Sequence, residues 1–206
     1  MKDIVIVGTS GFAREIKMYL DRMNQLTKQW NFLGYIGGES DQNKIGTDEF
    51  VCNYSKPLDV VIAIGNAKLR KKLFDQYKSN SYLSFPNIID PSVVLSDTVV
   101  FGEGNILSGK TIVTNEVTIG DFNIINMDCT LAHEVCIGNY NTISPSVNLS
   151  GKVKIGDFSS LGTACHVIPE KHIGTNSVIG AGSVVINDIP DNCTAVGVPA
   201  KVIKYN

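Results

Sequence analysis

Tryptophan occurs once in this 206-residue chain, and histidine and arginine three times each. With only His133, His166 and His172 to draw on, a metal centre built from several imidazoles has little material. Cysteine is sparse too. Cys52, Cys129, Cys136, Cys165 and Cys193 are odd in number and lack paired metal-ligand spacing, so they read as reduced thiols of a cytoplasmic protein rather than a disulfide framework. Long apolar runs are missing, and residues 1–8 are too short for a signal peptide or a membrane span and read as a first strand. An excess of positive charge is missing as well. The formal charge of −2 provides no basic stripe, which argues against nucleic acid as a partner.

What is present is repetition. From position 89 to position 185 an apolar residue returns at every sixth place without a break, through Leu107, Ile125, Ile143, Leu161 and Ile179. Seventeen hits in one phase are far beyond chance for a chain that is 43% hydrophobic. A period of six fits neither an α-helix nor a flat strand, but it fits a short straight run followed by a turn. A longer period agrees: Ile119-Gly120, Ile137-Gly138, Ile155-Gly156 and Ile173-Gly174 recur every eighteen residues, which is three sixes. The expectation is a triangular parallel β-helix of roughly five to six coils, its apolar residues stacked inward. Gly and the polar residue after it (Asp121, Asn139, Asp157) are expected to supply the corner's backbone geometry.

Ahead of the repeat, residues 1–85 alternate strands and helices. A β-branched strand ends in Gly8-Thr9-Ser10-Gly11 and leads into a helix over 12–23. Strands over 32–36 and 59–64 end in Gly37-Gly38 and Gly65-Asn66, and a helix over 67–77 follows. Its Lys68, Arg70, Lys71 and Lys72 read as a solvated face rather than a binding patch. A short strand over 82–85 precedes a hinge over 86–91. The pattern is that of a small parallel, Rossmann-like sheet, in which ligands bind beyond the strand C-termini. Gly8, Ser10, Gly11, Phe12, Gly37, Gly38, Gly65 and Asn66 all fall there. The Gly8–Gly11 turn alone has two readings, an anion site at a helix N-terminus or a plain connection, because G-x-x-G falls short of the dinucleotide fingerprint.

Phase within the repeat places the three histidines. His133 comes two places after the inward Leu131 and so points outward, while His166 and His172 fall on neighbouring sides of the triangle and diverge. One subunit therefore cannot gather them around a metal, although a site across two subunits stays open. His133 is followed at once by Glu134. An outward imidazole oriented by a carboxylate can serve as a general base; the plainer reading is a polar corner with a surface histidine.

The whole chain resembles the bacterial sugar acyltransferases of the PglD/NeuD type. The matching pieces are Ile6-Val7-Gly8-Thr9-Ser10-Gly11, Val61-Ile62-Ala63-Ile64-Gly65-Asn66 with Leu69-Arg70-Lys71-Lys72, His133-Glu134, and Gly197-Val198-Pro199-Ala200-Lys201. The resemblance implies a Rossmann-like sugar-nucleotide domain over 1–85 and a left-handed β-helix with a C-terminal cap over 86–206. It assigns His133 as base, Glu134 as the group that strengthens it, and Asn126 as a polar neighbour. Acetyl-CoA would lie in a groove between two prisms, against Thr142, Thr163, Gly180, Ala181 and Lys201, in a homotrimer without a metal. The implied reaction is N-acetylation of a nucleotide-linked amino sugar, of the 4-amino-4,6-dideoxy type, for a surface glycan. Sugar O-acylation and a non-catalytic binding protein are the rival readings. Two departures touch the nucleotide: the family's His after the first turn is Phe12 here, and its acidic residue after the second strand is replaced by Gly37-Gly38, with Glu39 one place on. The tail, 188–201, reads first as a cap over the last coil.

Overall fold

The computed structural model describes residues 1–37 and 43–206. Gly38 and Glu39, both named above, lie outside the described residues. The chain divides into two compact units, Met1–Pro91 and Ser92–Asn206.

The first unit is a five-stranded parallel sheet. In chain order it comprises β1 (Lys2–Val7), α1 (Gly11–Leu26), β2 (Trp30–Ile36), β3 (Lys44–Gly46), α2 (Asp48–Cys52), β4 (Leu58–Ile62), α3 (Ala67–Tyr77) and β5 (Leu83–Ser84). The strand order is β3-β2-β1-β4-β5. The order therefore reverses between β1 and β4, which opens a crevice at their C-terminal ends. β1 and β4 are apolar because both faces are covered, and residues 4–7 and 58–62 are buried throughout. Charges buried inside this unit are held by partners. The buried Asp59 accepts from Trp30 Nε1 at 2.7 Å and Ser84 Oγ at 2.5 Å.

Arg70 departs from the solvated face expected of α3. It is 1% exposed, and its Nη1 donates to the carbonyls of Ile64 at 2.6 Å and Gly65 at 3.1 Å. Those carbonyls leave the end of β4 with no strand partner beyond it, and a guanidinium satisfies them where a lysine would bring a single point charge. The stretch 44–52, between the strands expected over 32–36 and 59–64, contains β3 and α2, both too short to register as a period.

The second unit is the expected left-handed parallel β-helix, built of two-residue rungs on three sides. Rungs beginning at Val94, Ile112, Thr130, Asn148, His166 and Val184 stack as one side, and those at Val100, Thr118, Cys136, Lys154 and His172 as the second. The third side carries rungs at Ile106, Ile124, Thr142, Ser160 and Val178, then Cys193–Val196 and the antiparallel Lys201–Tyr205. Every sixth residue from Leu107 to Val185 is 4% exposed or less, so the phase read from the sequence is the phase of the core. Leu95 remains 40% exposed, since within this unit the first coil is stacked on one side only.

The corners work differently from expectation. The left-handed backbone position falls three residues after the inward one, at Phe122, Tyr140 and Phe158 on one edge and at Glu116, Glu134, Lys152 and Glu170 on another. Gly120 and Gly138 are needed for close approach instead: a Cβ on Gly120 would lie 2.7 Å from the Gly138 carbonyl oxygen. The following Asp or Asn bonds between coils, with Asp121 N donating to Asn139 Oδ1 at 2.8 Å and Asn139 N to Asp157 Oδ1 at 2.7 Å. Inside the same edge, Asn105, Asn123 and Asn141 form a buried ladder that accepts the N–H groups of Asn123, Asn141 and Ser159 at 2.7–2.8 Å. Phe122, Tyr140 and Phe158 stack beside it with ring centroids 5.4 and 5.1 Å apart.

Candidate active site

His133 stands at the corner between the Thr130–Leu131 and Cys136–Ile137 rungs, and its side chain is 61% exposed. Its Nδ1 lies 2.9 Å from Glu134 Oε2. A neutral ring that donates from Nδ1 keeps its lone pair on Nε2, and among the described residues no side chain or backbone group bonds that nitrogen. Glu134 occupies the left-handed corner position with φ of 62°. This conformation brings its carboxylate back beside the preceding side chain. Lys152, at the equivalent corner of the next coil, places Nζ 3.9 Å from Glu134 Oε1, so the carboxylate is shared between an imidazole and an ammonium.

Asn126 is at a different corner. It precedes the Thr130–Leu131 rung, whereas His133 follows it, so one chain holds the two at opposite ends of a prism side. Its Nδ2 donates to the Ile143 carbonyl at 2.8 Å. Thr163 belongs to Asn126's edge, with Gly180 and Ala181 on the same edge one coil further on, and Thr142 lies on the side that leads into it. Lys201 opens the last strand of that same side. Thr163, Ala181 and Lys201 are exposed. The five form one stripe, and within one chain that stripe and His133 lie on different edges. His166 and His172 fall in two different sheets, and among the described residues no group of His, Cys, Asp and Glu could hold a metal ion.

In the first unit a cleft of about 380 Å³ opens at the C-terminal ends of β1, β2 and β4. Gly8, Thr9, Ser10, Gly37, Asp48, Ile64, Leu69 and Leu73 are among the residues that line it. Gly8 has φ of 121°, and a Cβ there would meet the Ala63 carbonyl oxygen at 2.9 Å, so the turn needs glycine for both reasons. Gly11 is the first residue of α1 and Phe12 the second; neither is part of that lining. Gly65 and Asn66 are exposed beside the cleft, and Asn66 Oδ1 caps α3 by accepting from Leu69 N at 3.0 Å.

Asp48 is the residue the sequence reading missed. It starts α2, between the two strands expected from the sequence, and its Oδ1 accepts from the Tyr77 hydroxyl at 2.5 Å. Burial, and then the Asp48 carboxylate, push that hydroxyl well above its ordinary value, so it stays a donor and fixes the carboxylate at the cleft wall. The only signal available was Thr47-Asp48 ahead of a short apolar stretch, a helix start.

Residues 3–77 match the family model described as the PglD N-terminal domain. No curated protein matches the chain by sequence. Several solved structures do match, over nearly the whole of both chains. A mutant of perosamine N-acetyltransferase from Caulobacter crescentus, in complex with CoA and GDP-perosamine, is 28% identical with a TM-score of 0.90, covering 99% of this chain and 98% of its own. The acetyltransferase domain of PglB from Neisseria gonorrhoeae, in complex with acetyl coenzyme A, is 26% identical with a TM-score of 0.88, covering 98% and 99%. WeeI from Acinetobacter baumannii is 26% identical with a TM-score of 0.87, covering 98% and 100%.

Proposed function

We propose that this chain, a sugar acyltransferase of the PglD/NeuD type, transfers the acetyl group of acetyl-CoA to the amine of a nucleotide-linked amino sugar, with His133 as the general base. The observation that carries the reading is the 2.9 Å contact of His133 Nδ1 with Glu134, which leaves Nε2 bare at an exposed corner. The neighbours bound to CoA, acetyl coenzyme A and GDP-perosamine supply the substrate classes. A thioester is already activated, so the protein has to align the amine, take one proton and stabilise the oxyanion. His133 Nε2 accepts the amine proton as the nitrogen closes on the thioester carbonyl carbon. The C–N bond forms, the C–S bond breaks, and the thiolate of CoA leaves. Glu134, by holding Nδ1–H, keeps the ring turned for that transfer and stabilises the imidazolium.

The acetyl donor is assigned to the stripe of Thr142, Thr163, Gly180, Ala181 and Lys201, and the nucleotide to the cleft of Gly8, Ser10, Gly37 and Asp48. Because stripe and base occupy different edges, the reading requires two copies of the prism side by side, as in a homotrimer. Five free cysteines fit work in the reducing cytoplasm. Among the described residues no helix is long and apolar enough to cross a membrane.

The test is a panel of UDP-, dTDP- and GDP-linked 4-amino sugars with acetyl-CoA, followed by thiol release and corrected for the exposed Cys136. His133→Ala should lower kcat by about 10^2- to 10^4-fold while CoA binding, measured by calorimetry, stays intact. Turnover near the wild-type rate in that variant overturns the assignment of the base. Acylation of a hydroxyl in preference to the amine overturns the acceptor.

A further inference from the structure

Gly151 lies one coil beyond His133, at the same place in its hexapeptide. The equivalent places in the flanking coils carry Asn115 and Pro169, so the β-helix accepts a side chain at this position of the corner. Nor does the backbone of Gly151 require glycine, since it is absent from the left-handed residues of the chain. What fills the space is the imidazole. The three atoms nearest a Cβ at Gly151 would all belong to His133: Cε1 at 2.5 Å, Nε2 at 2.6 Å and Nδ1 at 3.2 Å. The coils are fastened here by Lys152 N donating to the His133 carbonyl at 2.9 Å, so the backbone under the ring cannot simply withdraw.

We infer that Gly151 is a positioning residue for the reaction: its bare Cα is the seat on which the His133 ring lies, and its lack of a side chain leaves Nε2 open to the acceptor amine. This rests on the reading of His133 as the base. A methyl group at Gly151 has one neighbour that can give way, the side chain of His133, which is free to rotate outward. Rotation takes the ring off Glu134 and moves Nε2 from the place where the amine must meet it. The fold itself loses nothing, because the atoms displaced are the mobile end of an exposed side chain.

The experiment compares four proteins under the same acetyl-CoA and amino-sugar assay: the wild type, Gly151→Ala, His133→Ala and the double variant. Gly151→Ala should lower kcat about 10- to 100-fold, as expected for a displacement of about an ångström at a reacting atom, with KM for acetyl-CoA unchanged. In the His133→Ala background the same substitution should leave the residual rate where it was, since there is no ring left to displace. Melting temperatures should agree between each pair. Loss of kcat in His133→Ala combined with a normal kcat in Gly151→Ala overturns the role of Gly151 and leaves the base standing. Near-normal kcat in His133→Ala overturns the base itself. A fall in melting temperature on adding Gly151→Ala to either background shows that the glycine serves the fold, and overturns the inference as well.

Discussion

At Glu134 two demands meet in one residue. The corner needs a left-handed backbone, at a cost of about 1 kcal/mol for a side chain with a Cβ, and the imidazole needs a carboxylate beside Nδ1. The two separate by substitution. Glu134→Gly should fold at least as stably as the wild type, gaining up to about 1 kcal/mol from the relaxed φ, and yet lose kcat about tenfold or more because the ring is no longer held. Denaturant unfolding and steady-state kinetics on the same preparation check this, and a destabilised but fully active variant would contradict it. His133 was legible from phase alone: two places after an inward residue is outward. Gly151 was not, because its reason is a ring eighteen residues earlier in the chain, and a single glycine in a glycine-rich repeat carries no mark of what lies against it. Asp48 escaped notice for a different cause. Its importance comes from Tyr77 and the cleft, neither of which is near it in sequence.

The rungs are two residues long, far too short to hold themselves together, so each is stable only as part of a stack. This is why the sixfold period was readable across seventeen repeats while β3 and α2, which occur once, were not. It is also why the purpose of the corner glycines was misread, since a hexapeptide shows where glycine recurs and not what its missing Cβ would touch. Two substitutions distinguish the two purposes. In Gly120→Ala the new methyl would lie 2.5 Å from Asn139 Oδ1 and 2.7 Å from the Gly138 carbonyl oxygen, so adjoining coils must part. The expected loss is about 1–3 kcal/mol, the cost of overpacking. In Gly182→Ala no atom lies within 4 Å of the new Cβ, but φ is 67°, so the loss should be confined to backbone strain of about 1 kcal/mol. Urea midpoints of the two variants, with slopes unchanged, measure the difference. A smaller loss in Gly120→Ala than in Gly182→Ala would count against close approach as the reason for the Ile-Gly pairs.

At the scale of the molecule, the site as proposed is divided. His133 and Glu134 occupy one edge of the prism, and the stripe of Thr163, Gly180 and Ala181 occupies another, so no single chain assembles both. Two copies can do so if the His133 edge of one packs beside the stripe of the next, and a closed ring of three repeats that contact without leaving an edge over. The arrangement predicts complementation between inactive chains. A chain carrying His133→Ala keeps a working stripe, and a chain carrying Ala181→Trp, at an exposed position where bulk does not disturb the core, keeps a working base. Each homogeneous variant should be nearly inactive. Co-expressed in equal amounts with separable tags, they should form mixed rings of three in which one of the three sites pairs an intact base with an intact stripe, and the activity of those rings should return to about a third of the wild-type level. Purification through both tags guarantees that mixed assemblies are being assayed. If these remain as inactive as their parents, or if sedimentation of the wild type gives a stable monomer that turns over normally, base and stripe do not combine across chains. The acetyl donor would then have to reach His133 along an edge of its own prism.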